Sequence, residues 1–410
     1  MQSSGGIRDF FMRLNPQEPK AQHFLFNGHP IWPLLHNHYS IKTQICHRQR
    51  KEMGGGGGVA AAAATVVESR EWYLAGRATE NVPTSDHLKL RTVRISLEYE
   101  SIPDQQVALQ LMLISVDPYL RSRITGRNDD LCLPQFSINK VITGFGIGRV
   151  IRSKNNNFNE GDIVVNPFSP IAEYCITPSD FLRKIDPTAG IALPDYLSCL
   201  GVPGFTAWVG IEVIGNPNPG SNVFISAAAG GVGMFAGQLA KLKGCRVVGS
   251  TGSDEKVQIL KDEFGYDDAF NYHKESDFDV ALTKYFPNGI DLYLDNVGGK
   301  MLGAVLNHVN TGARIPISGM ISQYNINPTE REGLKNLLNM VGKEVKMEGF
   351  MCGSFLNRFG EFSQQMEAYL KEKKIKPKHK INQGIESFLE SFVSLFSSSN
   401  IGKVIVQVAP

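Results

Sequence analysis

The chain of 410 residues lacks charge of either sign in excess: 20 % of its residues are charged and the net charge is +2. That argues against nucleic acid or an acidic surface as a partner. It also lacks any grouping of cysteine. Cys46, Cys132, Cys175, Cys199, Cys245 and Cys352 are scattered, with no C-x-x-C pair and no four-cysteine lobe. This excludes a disulfide framework and a zinc knuckle, and it fits reduced thiols in a cytoplasmic protein. A convincing membrane span is missing too. The uncharged residues 221–240 hold four glycines, Asn222 and Gln238, too polar and too broken for a lipid-crossing helix. A soluble chain with two sizeable cores is expected at this length.

Residues 1–67 read as an extension without packed structure. The first 52 hold five of the nine histidines (His23, His29, His36, His38, His47) and four scattered prolines. After Met53 come Gly54 to Gly58, Val59 and Ala60 to Ala64, a low-complexity run. A basic balance before Met53 leaves a targeting segment as the alternative, although no arginine-rich amphipathic helix is visible.

The richest segment runs from Phe224 to Lys241: a buried strand, then Ala228-x-Gly230-x-x-Gly233, then a helix start. This is a dinucleotide fingerprint with alanine at its first glycine position. Gly230, Gly231 and Val232 shape a turn over which a pyrophosphate can lie, and Gly233 lets helix and strand approach closely. The β-branched run Arg246 to Thr251 follows at the distance of a second strand. A carboxylate after that strand would favour NAD. Instead the chain has Gly249-Ser-Thr-Gly252-Ser253, with Lys256 one helical turn later and Tyr272 after the next strand. Gly252, Ser253, Lys256 and Tyr272 suit a 2′-phosphate, so NADP(H) is the expected cofactor. Asp254 is the objection, unless it caps the next helix and faces solvent.

Residues 68–195 are β-rich. Runs at 107–116, 141–151 and 163–165 read as strands, the second interrupted by glycines, which suggests a twisted small barrel. From 196 to 365 strands and helices alternate, as in a doubly wound parallel sheet. There 296–299 and 319–325 would follow strand C-termini, where such sheets bind ligands. Residues 366–410 end in a run, 401–408, that reads as a strand returning to the first domain.

Several motifs occur in an order that resembles one family. They are Val116-Asp-Pro-Tyr-Leu-Arg121, Gly201-Val-Pro-Gly-Phe-Thr-Ala207, the glycine turn, Phe270-Asn-Tyr272, Asp295-Asn-Val-Gly-Gly299, Gly319-Met-Ile-Ser-Gln-Tyr-Asn325 and Asn400-Ile-Gly-Lys403. The chain over 68–410 resembles the zinc-independent medium-chain dehydrogenase/reductases, specifically the NADP-dependent alkenal double-bond reductases, with prostaglandin and leukotriene reductases as close relatives. The resemblance implies an α/β architecture of GroES-like β-barrel plus Rossmann domain, and a homodimer. It implies that Asn296, Ser318, Tyr324, Phe350, Met351, Cys352 and Asn400 surround the nicotinamide half of the cofactor. It implies that Tyr119, Phe145 and Tyr324 meet a small α,β-unsaturated carbonyl substrate.

On that resemblance, hydride from the cofactor reaches the β-carbon and negative charge grows on the carbonyl oxygen. Tyr324, a neutral phenol donor at neutral pH, is the expected stabiliser, with Tyr119 lining the pocket. No metal takes part, because the G-H-E motif and cysteine cluster of the zinc-dependent branch are missing. Three departures bear on substrate range: Phe145 where the family has tyrosine, Ser318 where it has cysteine, and a different loop at 166–172. The alternatives are a zeta-crystallin-like quinone reductase and a catalytically weakened NADP-binding homologue.

Overall fold

Two large sheets divide most of the chain, one mainly antiparallel and one parallel with both faces buried. The computed structural model describes residues 65–127 and 133–409, together with the backbone of two short N-terminal strands. Those two, β1 (Leu25–Phe26) and β2 (His29–Pro30), pair antiparallel. The expectations placed on the rest of residues 1–64, an unpacked extension or a targeting segment, lie outside the described residues, as do Cys46 and Cys132.

The first half is antiparallel. β3 (Val66–Leu74) pairs with β4 (Leu88–Ser96) over nine residues. The larger sheet contains β5 (Gln106–Ser115), β6 (Thr143–Ser153), β7 (Ile163–Pro170), β8 (Tyr174–Pro178) and β9 (Arg183–Ile185). Val107, Leu109, Leu111, Val150 and Val164 pack into one core on a face of it. Register slips between Gly144 and Gly146 where β6 meets β7. Such an irregularity bends a strand and re-aims its side chains, and Phe145 lies within it, half-buried against the core.

The second half is a parallel sheet of β10 (Asn222–Ile225), β11 (Arg246–Thr251), β12 (Asp268–Asn271), β13 (Ile290–Leu294), β14 (Val309–Ile317) and β15 (Lys346–Gly349). Its spatial order is β12-β11-β10-β13-β14-β15. Counted from β10 this is 3-2-1-4-5-6, the doubly wound Rossmann order, with the switch point between β10 and β13. Both faces are buried: Val223 and Ile225 enter one core, while Phe224 stacks between Phe270 and Tyr293 in the other. Strands covered on both sides need such unbroken apolar runs. The helices are α1 (Val202–Trp208), α2 (Gly233–Leu242), α3 (Asp254–Asp262), α4 (Phe278–Tyr285), α5 (Gly299–His308), α6 (Leu338–Gly342), α7 (Phe359–Lys371) and α8 (Phe388–Ser394).

The chain then returns. β16 (His379–Gln383) pairs parallel with β17 (Lys403–Gln407), and β17 pairs antiparallel with β5, Ile405 opposite Ser115. Residues 65–127 and 133–409 thereby fall within one compact unit. Among the described residues no helix is long and apolar enough to cross a membrane.

Candidate active site

The glycine turn lies at the C-terminal end of β10, where the switch point predicts a ligand. Ala227 adopts a left-handed conformation (φ +47°), and its carbonyl accepts from the Gly230 N–H at 2.9 Å. A Cβ on Gly233 would stand 2.5 Å from the Ala227 oxygen, so only glycine lets α2 start this close to the strand. The N-terminus of α2 is thereby set at the turn, where its dipole favours an anion. The chain end docks on the same turn: Gly402 donates to the Ala229 carbonyl at 2.8 Å, and Gly230 bridges Gly402. Gly231 faces Pro203 and the Lys403 stem, whose Cδ lies 3.6 Å from its Cβ position. Val232 packs half-buried on the core behind the turn.

The end of β11 answers the objection raised by Asp254. Ser253, not Asp254, caps α3, its hydroxyl accepting from the Lys256 N–H at 3.3 Å. The Asp254 carboxylate turns to Lys274 (2.5 Å) and Asn271 (3.0 Å), and these bonds hold its pKa below the usual aspartate value. Lys256 is only 6 % exposed. Its Nζ donates to the Ser398 carbonyl at 2.5 Å, and burial lowers its pKa. Tyr272 shares a 2.5 Å hydrogen bond with the Ser398 hydroxyl. Gly252 lies beneath the same serine, whose Cβ is 2.8 Å from the Cβ position of the glycine. The four residues expected to read a 2′-phosphate are therefore together, around a serine the sequence did not single out.

A second group forms where β13 and β14 end. The Asn296 amide donates to the Ser226 carbonyl at 2.7 Å, and its oxygen accepts from Ser318 at 2.6 Å. Asp295 is fully buried; its Oδ1 accepts from Tyr293, Val297 and Gly298 at 2.7–2.9 Å. Burial raises its pKa, and its Oδ2 has no partner among the described residues. Asp295 thus pins the 296–298 turn. The Tyr324 hydroxyl accepts from the Met320 N–H at 3.2 Å, bending its loop back over Gly319.

Tyr119 belongs to a third group, in the turn after β5. Burial, and next the Asp117 charge, push its phenol pKa up, while Arg123 opposes them. It remains a neutral donor throughout the physiological range. Cys352 lies in the same field: burial raises its thiol pKa, a hydrogen bond to Thr206 opposes this, and the Asp117 charge adds to the rise. Phe350 donates its N–H to the Ile317 carbonyl at 3.1 Å and packs on the core with Phe355. Met351 precedes the turn carrying Cys352. Asn400 stands half-buried between the Ser398 turn and Gly402.

Two connections went unread in the sequence. Lys403 and Asp117 form an ion pair at 2.5 Å, with side chains 3 % and 5 % exposed. Lys403 also donates to the Val116 carbonyl at 2.6 Å, and Ser115 donates to Asp117 at 2.5 Å. Arg121, fully buried, donates to Asn325 Oδ1 (2.7 Å) and to the carbonyls of Ala78 (2.8 Å) and Asn81 (2.9 Å). It thereby ties the Tyr119 turn to the Tyr324 loop. The available signal was charge inside two otherwise apolar motifs, an aspartate and an arginine in Val-Asp-Pro-Tyr-Leu-Arg and a lysine in Ile-Gly-Lys-Val.

Known proteins resemble this chain over both large sheets. A family model described as the N-terminal domain of oxidoreductase matches residues 70–185. A second, described as zinc-binding dehydrogenase, matches residues 231–371. The NADP(+)-dependent 2-alkenal reductase of Nicotiana tabacum is 39 % identical over 80 % of this chain and 94 % of its own length. The chain belongs to the medium-chain dehydrogenase/reductases, in the group of the 2-alkenal reductases. The (+)-pulegone reductase of Mentha piperita is 38 % identical over 78 % of this chain and 93 % of its own. CurA of Vibrio vulnificus, solved with NADPH, superimposes with a TM-score of 0.76 at 34 % identity, covering 83 % of this chain and 99 % of that one. Among the described residues no three His, Cys, Asp or Glu side chains are grouped to hold a metal ion.

Proposed function

We propose that this protein is an NADPH-dependent reductase of the carbon–carbon double bond in 2-alkenals and enones. The observation that carries the cofactor choice is the buried Lys256 ammonium, joined to Tyr272 through Ser398, with the Asp254 carboxylate bonded elsewhere. The glycine turn fits a pyrophosphate: Gly233 permits the close approach, and the N-terminus of α2 favours the negative charge. The bound cofactor supplies the hydride, which adds to the substrate β-carbon. The electron pair of the double bond moves toward the carbonyl oxygen, Tyr324 donates a hydrogen bond to that oxygen, and solvent returns a proton to the α-carbon. Tyr119, kept neutral by burial, lines the substrate side. Asn296 and Ser318 hold the nicotinamide half together with Phe350, Met351, Cys352 and Asn400. The names of the tobacco and peppermint relatives support the substrate class.

The division of labour follows the two sheets, residues 68–195 with the returning 366–410 serving the substrate and 196–365 the nucleotide. We place the enzyme in the cytoplasm, a reducing setting supported by the free thiols of Cys175, Cys199, Cys245 and Cys352. We also infer a homodimer, because β15 is an exposed sheet edge beside Leu337, Leu338 and Val341, which are 46 %, 81 % and 76 % exposed. Apolar groups left in water in one place mark a contact surface.

The direct test follows NADPH oxidation with 4-hydroxynonenal and with a quinone. Faster turnover of the quinone would overturn the substrate assignment. Tyr324→Phe should lower turnover about 100- to 1000-fold, the usual cost of one lost oxyanion donor. Normal turnover by that variant would remove Tyr324 from the role.

A further inference from the structure

The turn 397–399 stands between two cations. On one side Lys256 reaches its Ser398 carbonyl. On the other, Ser397 and Ser399 line an open groove of about 490 Å³ together with Lys380 and Asn382 of β16. Asn382 donates to Ser391 of α8 at 2.7 Å, which shows the face of β16 that looks into the groove. Side chains two apart on a strand share a face, so Lys380 points the same way. The neighbouring Lys371, Lys374 and Lys378 are each paired with a glutamate. Among the described residues Lys256 and Lys380 are in no ion pair, and Glu390 shares the groove without pairing with Lys380.

The two lysines also feel each other. Burial lowers the Lys256 pKa most, the adjacent Glu255 charge opposes this, and the charge of Lys380 adds a smaller push in the same direction as burial. Two unpaired cations held in mutual repulsion invite an anion between them. A phosphate monoester, with a second pKa near 6, carries close to two negative charges at neutral pH, more than one ammonium neutralises. The backbone between the lysines is itself unusual: Ser398 holds φ +56°, a conformation uncommon for serine.

We propose that Lys380 is a second phosphate-reading residue, closing on the 2′-phosphate of the cofactor across the 397–399 turn from Lys256. This deepens the NADPH reading above and rests on it. A phosphate oxygen would take over the Lys256 ammonium from the Ser398 carbonyl, and Lys380 would approach from the groove side.

The test measures dissociation constants of NADPH and NADH, and of 2′,5′-ADP and 5′-AMP, for the full chain and its variants. Lys380→Gln should weaken the 2′-phosphorylated ligands about tenfold, or about 1.4 kcal/mol, and leave the unphosphorylated ones unchanged. The loss should shrink at high salt, because exposed charges are screened. Lys380→Arg should keep most of the preference. If Lys380→Gln changes neither ligand class, or changes both equally, the inference fails. If Lys256→Gln also leaves the preference for phosphorylated ligands intact, the NADPH reading itself falls. If Lys256→Gln alone abolishes it, only the role of Lys380 is lost.

Discussion

Lys403→Met is the most demanding test of how the returning strand is held. It removes the cation from a pair whose side chains are 3 % and 5 % exposed. Among the described residues, the Asp117 carboxylate would then keep the Ser115 hydroxyl, at 2.5 Å, as its one side-chain hydrogen-bond donor. Stranding a buried charge typically costs about 3–5 kcal/mol, because its lost hydration is no longer offset. At roughly 2–4 °C per kcal/mol, the scale for domains of 150–250 residues, the melting temperature should fall by at least about 6 °C. Urea unfolding of the purified chain would measure the same loss. NADPH binding should weaken too, since the Lys403 stem backs Gly231 and Gly402 bonds to Ala229. The double variant Lys403→Met, Asp117→Asn removes the stranded charge and should recover most of the stability. If the single variant costs less than about 1 kcal/mol, the range of a surface ion pair, the pair is not what holds this strand. Additive costs in the double variant would refute the coupling as well.

Gly233→Ala should destabilise the protein by about 1–3 kcal/mol, the range for overpacking, and weaken NADPH in calorimetry, because its Cβ would meet the Ala227 oxygen at 2.5 Å. Arg121→Lys cannot reach all three oxygens now held; each acceptor left unmet costs about 1–3 kcal/mol. Turnover should fall while NADPH affinity changes little, and an unchanged kcat would show that the Tyr324 loop does not need this tie. Burial lowers the pKa of Lys256, and only its protonated form pairs with phosphate. NADPH affinity should therefore decline with rising pH sooner than an exposed lysine would make it, while NADH affinity stays flat over the same range. Parallel declines for both nucleotides would refute this.

The sequence alone determined what is local. The spacing from Ala228 to Gly233 set a strand, a turn and a helix start, since a Cβ at Gly233 has no room whatever the rest of the fold does. The β-branched run at 246–251 became β11 with the bounds expected, and the strand expected at 401–408 became β17. The lack of a carboxylate after β11 pointed to NADP(H) because charge against a phosphate needs no fold to evaluate. The role of Asp254 could not be read so closely: whether a first-turn aspartate or the serine before it caps the helix depends on where Lys274 and Asn271 come to lie. Tertiary structure alone decided the long-range meetings. Ser398 reaches Lys256 and Tyr272 across 142 and 126 residues, Lys403 meets Asp117 across 286, and Arg121 meets Asn325 across 204. No period or spacing encodes such pairs. They arise because β17 adds to the barrel sheet while its leading turn crosses the nucleotide sheet, and only the folded chain brings those two surfaces together.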